Sequence, residues 1–307
     1  MRDAFSDTLV GLAKVDPNVI LLTGDHGYAL FDEFRKECPH QYINAGIAEQ
    51  NMVGMAAGLA RGGYRPFVYG LAAFIPIRVI EQIKLDVAHD NLPVIFIGDG
   101  AGFVYSHLGT SHQSTEDIAC TRAIPNLSIY SPADCFEVSA CINSAYNSKL
   151  SSYIRMGKSD RGEVHKSALT NFSNSMINVH HANNVRIAIL ATGSMVRMAL
   201  SLINCGFIRA SVWTVPTIKP ANIQQVVELC KSNDLIIAME EHSVLGGLGS
   251  LVAEISSEYS PVKILRIGVQ DRFSCHCGSY EYLLNEHALD EESIKTKINN
   301  FLLGHQL

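Results

Sequence analysis

Gly98-Asp99-Gly100 and Asn126 are residues whose types and spacing could do chemistry. Asp and Asn side chains offer the hard oxygen ligands that Mg²⁺ prefers, and the glycines would let the backbone approach a phosphate. Such a site needs a helix that begins at the glycines, because the amide groups of its first turn would face the anion. Here the glycines lead into AGFVYSHLGTSHQS, which is typical of a loop. Asn126 follows Pro125 and is explained more simply by an Asx turn, so we predict that this chain holds no metal there.

Cys275-His276-Cys277 is a second group of potential metal ligands. A structural zinc site normally has another ligand pair at short spacing, and the sequence shows none. Eight Cys in 307 residues is far below the density of a disulfide-stabilised scaffold. We therefore predict reduced, partly buried thiols in a cytoplasmic protein, and no metal ligands from this chain.

Composition and charge exclude several classes of function. With 24 Lys+Arg against 30 Asp+Glu, the chain lacks the basic footprint of a nucleic-acid-binding protein. Its apolar runs are all well short of the ~20 residues that span a bilayer. The segment MRDAFSDTLVG places charges among its apolar residues and is not typical of a signal peptide. Hydrophobic residues make up 47% of the chain, which suggests that a partner covers part of the surface.

Helices alternate with apolar strands along most of the chain, as in VILLT (19–23), PFVYG (66–70) and the helix pattern of 47–61. This alternation predicts parallel sheets, whose ligand sites lie at the carboxyl ends of the strands. A stretch rich in Ser, Asn and His interrupts the pattern in the middle of the chain and indicates a linker. The predicted fold class is therefore α/β, with two three-layer domains built on parallel sheets with mixed edges. Their predicted extents are 1–160, a linker over 161–185, and 186–307.

Five segments of the chain resemble the transketolase family: NAGIAEQNMVGMAAGLA (44–60), GTSHQSTEDIACTRAIPN (109–126), ATGSMVRMAL (191–200), EEHSVLGGLGS (240–250) and GVQDRF (268–273). The resemblance covers the C-terminal half of an ordinary transketolase, namely the pyrimidine-binding domain and the C-terminal domain. The chain is thus similar to one subunit of a split transketolase. The resemblance implies thiamine diphosphate and Mg²⁺ as cofactors, held mainly by a separate N-terminal subunit, and an assembly of two copies of each subunit (α₂β₂).

The resemblance assigns the pyrimidine ring of the cofactor to a few residues. Glu49 matches the glutamate that hydrogen-bonds a ring nitrogen and favours the imino tautomer, which removes the thiazolium C2 proton. Phe74 matches an aromatic residue that packs on the ring. Leu71 and Ile77 stand where the family often has further aromatics, which implies a more aliphatic pocket. Without the resemblance, Glu49 could simply be an acidic residue at a helix N-terminus, and Phe74 an ordinary core residue.

Other residues are matched to the substrate side of the site. His112, in TSHQ, matches a histidine that faces the substrate and could shuttle protons there, so with Glu49 it is predicted to be catalytic. Asp25 and His26 follow the first strand and are predicted to line the substrate channel. For His242, an interface role and a catalytic role stay open.

Departures from the family pattern concern substrate recognition. His107 and Leu108 stand where the family has a glutamate and an aspartate, and Gly100 where many members have a histidine that grips phosphate. Lys158, within Arg155-Met156-Gly157-Lys158, stands at the arginine of that grip and lacks its bidentate fork. We predict His107, Arg155 and Lys158 as substrate contacts, with weakened or relocated phosphate recognition and an unusual sugar as substrate.

The resemblance implies transfer of a two-carbon ketol unit from a ketose to an aldose, by an enzyme active only with its partner subunit. Sugars or sugar phosphates are then the substrates. One alternative has the same fold with other chemistry: a deoxyxylulose-phosphate-synthase-like condensation, or the β subunit of a 2-oxo-acid dehydrogenase E1. Another is a non-catalytic subunit that kept the fold. The Glu-Gln-Asn helix and the TSHQ loop favour ketose chemistry, because a 2-oxo acid has few hydroxyl groups to recognise, and Glu49 argues against the non-catalytic alternative.

Overall fold

The computed structural model, which describes residues 1–27, 29–158, 162–170, 172 and 174–305, forms two sheets from the apolar segments. In chain order, the first half of the chain contributes β1 (Val19–Thr23), β2 (Tyr42–Asn44), β3 (Arg65–Leu71), β4 (Ile95–Asp99), β5 (Leu127–Tyr130) and β6 (Ser151–Met156). The second half contributes β7 (Ile177–His180), β8 (Ile187–Ala191), β9 (Ser211–Thr214), β10 (Thr217–Lys219), β11 (Leu235–Ser243) and β12 (Lys263–Val269).

Helices connect these strands and cover the sheets. In the first half they are α1 (Arg2–Val15), α2 (Asp32–Glu37), α3 (Glu49–Arg61), α4 (Ile80–Gln82, continued as a π-helix over Ile83–Ala88), α5 (Asp117–Arg122) and α6 (Cys135–Asn147). In the second half they are α7 (Met195–Asn204), α8 (Ile223–Ser232), α9 (Leu248–Tyr259), α10 (Tyr280–Glu286) and α11 (Glu291–His305). Among the described residues, no helix is both long enough and apolar enough to cross a membrane.

The strand order confirms the predicted α/β class with parallel sheets and mixed edges. The first sheet has the order β10-β5-β6-β4-β3-β1-β2, in which β10 is antiparallel to β5 and the other pairs are parallel. The second has the order β12-β11-β8-β9-β7, in which β7 is antiparallel to β9. The domain boundaries drawn from composition stay a prediction, and β7 lies within the segment predicted to be a linker.

Alternate strand residues pack on opposite faces of the first sheet, as the pleat requires. Leu21 and Ile97 face α1 and α6, whereas Leu22 and Phe96 face α3 and α4. The hydrophobic core that contains Leu22 and Phe96 also contains Leu190 of the second sheet. The two sheets therefore share part of one hydrophobic core, and each has helices on both faces.

A buried ion pair lies where the two sheets meet. The Nε of Arg155, on β6, donates to Asp117 at 2.8 Å, and its Nη2 donates to the backbone oxygens of Ser114 at 3.1 Å and Glu241 at 2.7 Å. The side chains of Arg155 and Asp117 are 3% and 0% exposed. The pair thus connects the interior strand β6, the start of α5 with the segment before it, and β11 of the second sheet.

His242 makes a second contact between the two halves of the chain. Its Nδ1 donates to the backbone oxygen of Ser243 at 2.8 Å, and its Nε2 accepts from the backbone N–H of Ala119 at 3.2 Å. The imidazole is fully buried, and burial lowers the pKa of His242 to about 4. Of the two roles left open by the sequence, its position favours the interface role.

We expect Asp117→Asn to lower the free energy of unfolding by about 3–5 kcal/mol, because it leaves the charge of Arg155 buried without a partner. Asp234→Asn is the matched control, since it breaks the exposed Arg186–Asp234 pair. That change should cost less than about 1 kcal/mol. Urea unfolding of the full chain measures both variants. Equal costs would mean that the buried pair does not hold the two halves together.

We expect a pH dependence of stability from His242. Because its folded pKa of about 4 lies below the unfolded value of about 6.5, the unfolded chain takes up the proton first, and stability falls as the pH drops. From about pH 7 to about pH 5, the wild type should lose up to about 2 kcal/mol more than His242→Gln. Burial raises the pKa of neighbouring Glu240 to about 7. This shift makes stability rise as the pH falls, and it does so equally in the wild type and in His242→Gln. Parallel stability profiles from urea unfolding would contradict this assignment.

Candidate active site

The carboxyl ends of four neighbouring parallel strands carry the candidate site. Asp25 and His26 follow β1, Glu49 opens α3 shortly after β2, and Phe74 follows β3. His112 lies in the long connection that follows β4. Because β1 to β4 are parallel neighbours in the sheet, these residues meet at one edge.

Phe74 is at the centre of this cluster. The ring of His112 meets it edge-on, with centroids 5.3 Å apart and an angle of 66° between the planes. The ring of His26 lies 6.0 Å away, tilted by 36°. The guanidinium carbon of Arg78 lies 3.9 Å from the Phe74 centroid. The structure therefore brings Phe74, His112 and His26 together, as the sequence analysis expects of residues in one site.

Glu49 faces the same cluster from the first turn of α3. Its Oε1 accepts a hydrogen bond from Nη1 of Arg78 at 2.9 Å, and its side chain is only 11% exposed. The helix dipole favours a carboxylate in this first turn. Glu49 can therefore stabilise the start of α3 and also take part in a site. Glu49 and Phe74 are thus joined through one guanidinium group.

Arg78 is the residue of this cluster that the sequence analysis missed. It lies four residues after Phe74, and its backbone N–H donates to the Phe74 carbonyl oxygen at 3.1 Å. The turn between Phe74 and Arg78 therefore places the guanidinium over the ring. The spacing of an aromatic residue and an arginine at i and i+4 was the signal that could have revealed the contact.

The polar groups around the two histidines can donate and accept hydrogen bonds. The Nδ1 of His112 lies 3.0 Å from Oγ of Ser111, and Nε2 of His26 lies 3.3 Å from Oδ1 of Asp25. Asp25 is exposed, whereas His26 is partly buried. Imidazole, hydroxyl and carboxylate groups at one edge can recognise several hydroxyl groups and move a proton.

Three predicted substrate contacts lie outside this cluster. Arg155 is buried in the ion pair with Asp117, so its position does not suit the predicted contact with substrate. The Nζ of Lys158 lies 5.4 Å from the ring centroid of Tyr280 in the second half of the chain. His107 is exposed in the connection that follows β4. For Arg155, the physical reason is that a buried guanidinium needs a carboxylate partner, which Asp117 supplies.

Asp99 and Asn126 lie at opposite edges of the first sheet. Asp99 ends β4, whereas Asn126 directly precedes β5, and both strands are parallel to β6. Asp99 is 3% exposed and accepts hydrogen bonds from Tyr69 at 2.8 Å and Tyr105 at 3.1 Å. The two side chains therefore cannot bind one metal ion, and Asp99 instead joins two tyrosines in the core.

Gly100 and the cysteine group also have structural explanations. Gly100 has φ +78°, and a Cβ at this position would lie 2.0 Å from the Tyr105 ring. Cys275 and Cys277 are exposed free thiols. Within the described part of the chain, no group of three or more His, Cys, Asp or Glu is arranged to hold a metal ion.

The two apolar residues predicted for the cofactor site, Leu71 and Ile77, lie close to Phe74 in the chain. Leu71 is buried at the end of β3, and its backbone oxygen accepts from the Phe74 N–H at 2.8 Å. Ile77 is partly buried and directly precedes Arg78. One aromatic ring, a largely shielded carboxylate and neighbouring aliphatic residues suit a flat heteroaromatic ring whose ring nitrogen bonds to the carboxylate.

Comparison with known proteins gives matches along nearly the whole chain. The family model for the transketolase pyrimidine-binding domain matches residues 1–162, and that for the transketolase C-terminal domain matches residues 177–294. The chain is 34% identical to one of the subunits of the apulose-4-phosphate transketolase of Phocaeicola vulgatus, covering 95% of this chain and 94% of that protein. It is 36% identical to a putative transketolase C-terminal section of Methanocaldococcus jannaschii, covering 97% and 95%.

Two further matches are a solved structure with a similar fold and a longer enzyme of which this chain spans about half. A split-gene transketolase, solved as an inactive β4 tetramer, matches with a TM-score of 0.88 and 31% identity, and 97% of each chain is covered. The 1-deoxy-D-xylulose-5-phosphate synthase of Pasteurella multocida is 34% identical over 97% of this chain, which spans only 48% of that enzyme. The resemblance seen in the sequence is confirmed: the chain belongs to the transketolase family, of which it contains the pyrimidine-binding and C-terminal domains.

Proposed function

We propose that this chain is the C-terminal subunit of a split transketolase that depends on thiamine diphosphate and Mg²⁺. The enzyme would transfer a two-carbon ketol unit from a ketose to an aldose, and a separate N-terminal subunit would hold the metal and the diphosphate. The observation that carries this proposal is the cluster of Glu49, Phe74 and His112 at one strand edge. The relatives named as a transketolase subunit and as a C-terminal section support the division into two chains.

The residues around Phe74 fit the pyrimidine ring of thiamine diphosphate. Phe74 would stack on the ring, Leu71 and Ile77 would enclose it, and Glu49 would bond to a ring nitrogen. A carboxyl group that is largely shielded from water makes a stronger hydrogen bond to the ring nitrogen, because few water molecules compete for it. When bound, the cofactor supplies the reactive carbon and the electron sink for breaking a C–C bond.

His112, His26 and Asp25 would act on the substrate. The imidazole of His112 can donate a hydrogen bond to a sugar carbonyl or hydroxyl and move a proton during bond cleavage. His26 and Asp25 offer a donor and an acceptor 3.3 Å apart, which suits vicinal hydroxyl groups. Relatives named for apulose-4-phosphate and for 6-deoxy-6-sulfo-D-fructose support a modified or unusual sugar as substrate.

Large exposed apolar side chains flank the site and support a partner that covers it. Ile47 (75% exposed) follows β2, Leu108 (47%) follows β4, and Phe273 (81%) follows β12. Exposed apolar surface of this kind is typical of protein interfaces. We propose the N-terminal subunit as the partner and an α₂β₂ assembly, in the cytoplasm, where the free cysteines stay reduced.

We expect turnover only when this chain is mixed with its N-terminal subunit, and Glu49→Gln should lower that turnover by about 10²-fold or more. The amide keeps the shape of Glu49 but cannot exchange a proton with the ring nitrogen of the cofactor. Glu81→Gln is the matched control, since Glu81 is an exposed residue of α4. Ketol transfer from a ketose donor to an aldose acceptor is the assay. If the complex with Glu49→Gln turned over at the wild-type rate, the non-catalytic alternative would be favoured. Turnover by the lone chain would contradict the proposal of a split enzyme.

A second candidate function is a deoxyxylulose-phosphate-synthase-like condensation, which the match to the Pasteurella multocida enzyme supports. The two functions differ in the donor, because the synthase reaction starts from a 2-oxo acid. We expect the complex to consume a ketose and to leave pyruvate unchanged, since hydroxyl-recognising groups surround Phe74. Carbon dioxide release from pyruvate, measured in parallel with ketose consumption, checks this. Carbon dioxide release from pyruvate without ketose consumption would contradict the proposed ketol transfer and favour the synthase-like condensation.

A further inference from the structure

Arg78 joins two residues of the candidate site, but the proposed function gives it no role. Its guanidinium stacks on Phe74, with 3.9 Å between Cζ and the ring centroid, and Nη1 donates to Glu49 at 2.9 Å. These are the two residues that would receive the pyrimidine ring. We propose, on the basis of that function, that Arg78 competes with the pyrimidine ring for Phe74 and Glu49 and must leave them before the cofactor can bind.

The two occupants need the same surfaces. A guanidinium is planar, stacks on aromatic rings and presents N–H donors at its edge, and an aminopyrimidine ring shares these properties. Both would lie on the face of Phe74 from which Glu49 is reached. At 3.9 Å the guanidinium is already in van der Waals contact with Phe74, so a second flat group cannot enter between them. Binding of one therefore excludes the other.

Exposure indicates which side chain would move. The side chain of Arg78 is 46% exposed, whereas that of Glu49 is 11% exposed. The backbone of Arg78 is fixed by its hydrogen bond to the Phe74 carbonyl oxygen, and its long side chain can rotate outward without moving the chain. Glu49 would stay in place and exchange the guanidinium for the ring nitrogen. Arg78 thus gives Glu49 a partner before the cofactor binds, which offsets the cost of shielding the carboxylate from water.

This exchange weakens the apparent affinity for the cofactor. The intrinsic affinity is reduced by the fraction of subunits in which Arg78 has left the ring. Removing the guanidinium should therefore tighten binding, whereas a residue that helps to hold the cofactor would weaken binding when removed. The sign of the change distinguishes the two roles.

The test is calorimetry of thiamine diphosphate with Mg²⁺, titrated into the complex of this chain and its N-terminal subunit. We expect Arg78→Ala to bind about five- to tenfold more tightly than the wild type. Arg78→Lys keeps the charge but loses the flat face, so its affinity should lie between the two. Arg61→Ala is the matched control: Arg61 is 55% exposed, pairs with Asp90 and lies at the far end of α3, so its affinity should equal the wild type.

Unchanged or weaker binding by Arg78→Ala, with normal binding by the wild-type complex, would overturn this proposal and leave the proposed function standing. A wild-type complex that binds no thiamine diphosphate would overturn both. A crystal structure of the loaded complex provides a second readout. The guanidinium should be displaced from Phe74, and a guanidinium still stacked on the face reached from Glu49 would overturn the proposal.

Discussion

The buried ion pair of Arg155 and Asp117 is the interaction on which the geometry of the site depends. The loop that carries His112 is closed by mutual backbone hydrogen bonds of Gly102 and Ser114, and Arg155 also binds the carbonyl oxygen of Ser114. The same guanidinium reaches β11 in the second sheet. One side chain on the interior strand β6 therefore fixes the far end of the loop, the start of α5 and the junction of the sheets. This use of Arg155 explains why it is not available to bind a substrate.

Strand patterns predicted the fold because apolar runs must be buried whatever their partners are. The helix expected over 47–61 begins at Glu49, and the expected parallel order brings Glu49 and Phe74 to one edge. The sequence analysis did not predict β10, since a three-residue strand between two prolines has no periodicity and pairs with a strand far away in the chain. Contacts of that kind depend on the assembled structure, as do the partners of Arg155.

The residues of the site that lie in family-like motifs could be predicted from the sequence. The contacts of Arg78 with Phe74 and Glu49 could not. Glu49, Phe74 and His112 came from the resemblance to the family, and their roles stay predictions. Arg78 lies outside the segments that carry the resemblance, and its spacing from Phe74 is only a weak signal, because most arginines are solvated surface residues. Its importance comes from two distances, to a ring and to a carboxylate, that only the folded chain shows.

Asp99 has a structural role at the edge of the sheet that carries the candidate site. It ends the strand next to β3 at the edge that carries Phe74, where a carboxylate could face a metal ion. Instead, Tyr69 and Tyr105 donate to it, and burial raises the pKa of both phenols, so they keep the protons they donate. Arg2 lies 3.4 Å from the same carboxylate. A carboxylate satisfied in this way stabilises the core, and the surface at this edge keeps the aromatic ring and the carboxylate that suit a heteroaromatic ligand. This use of Asp99 is consistent with the proposed division of the site, in which the partner subunit supplies the metal and diphosphate ligands.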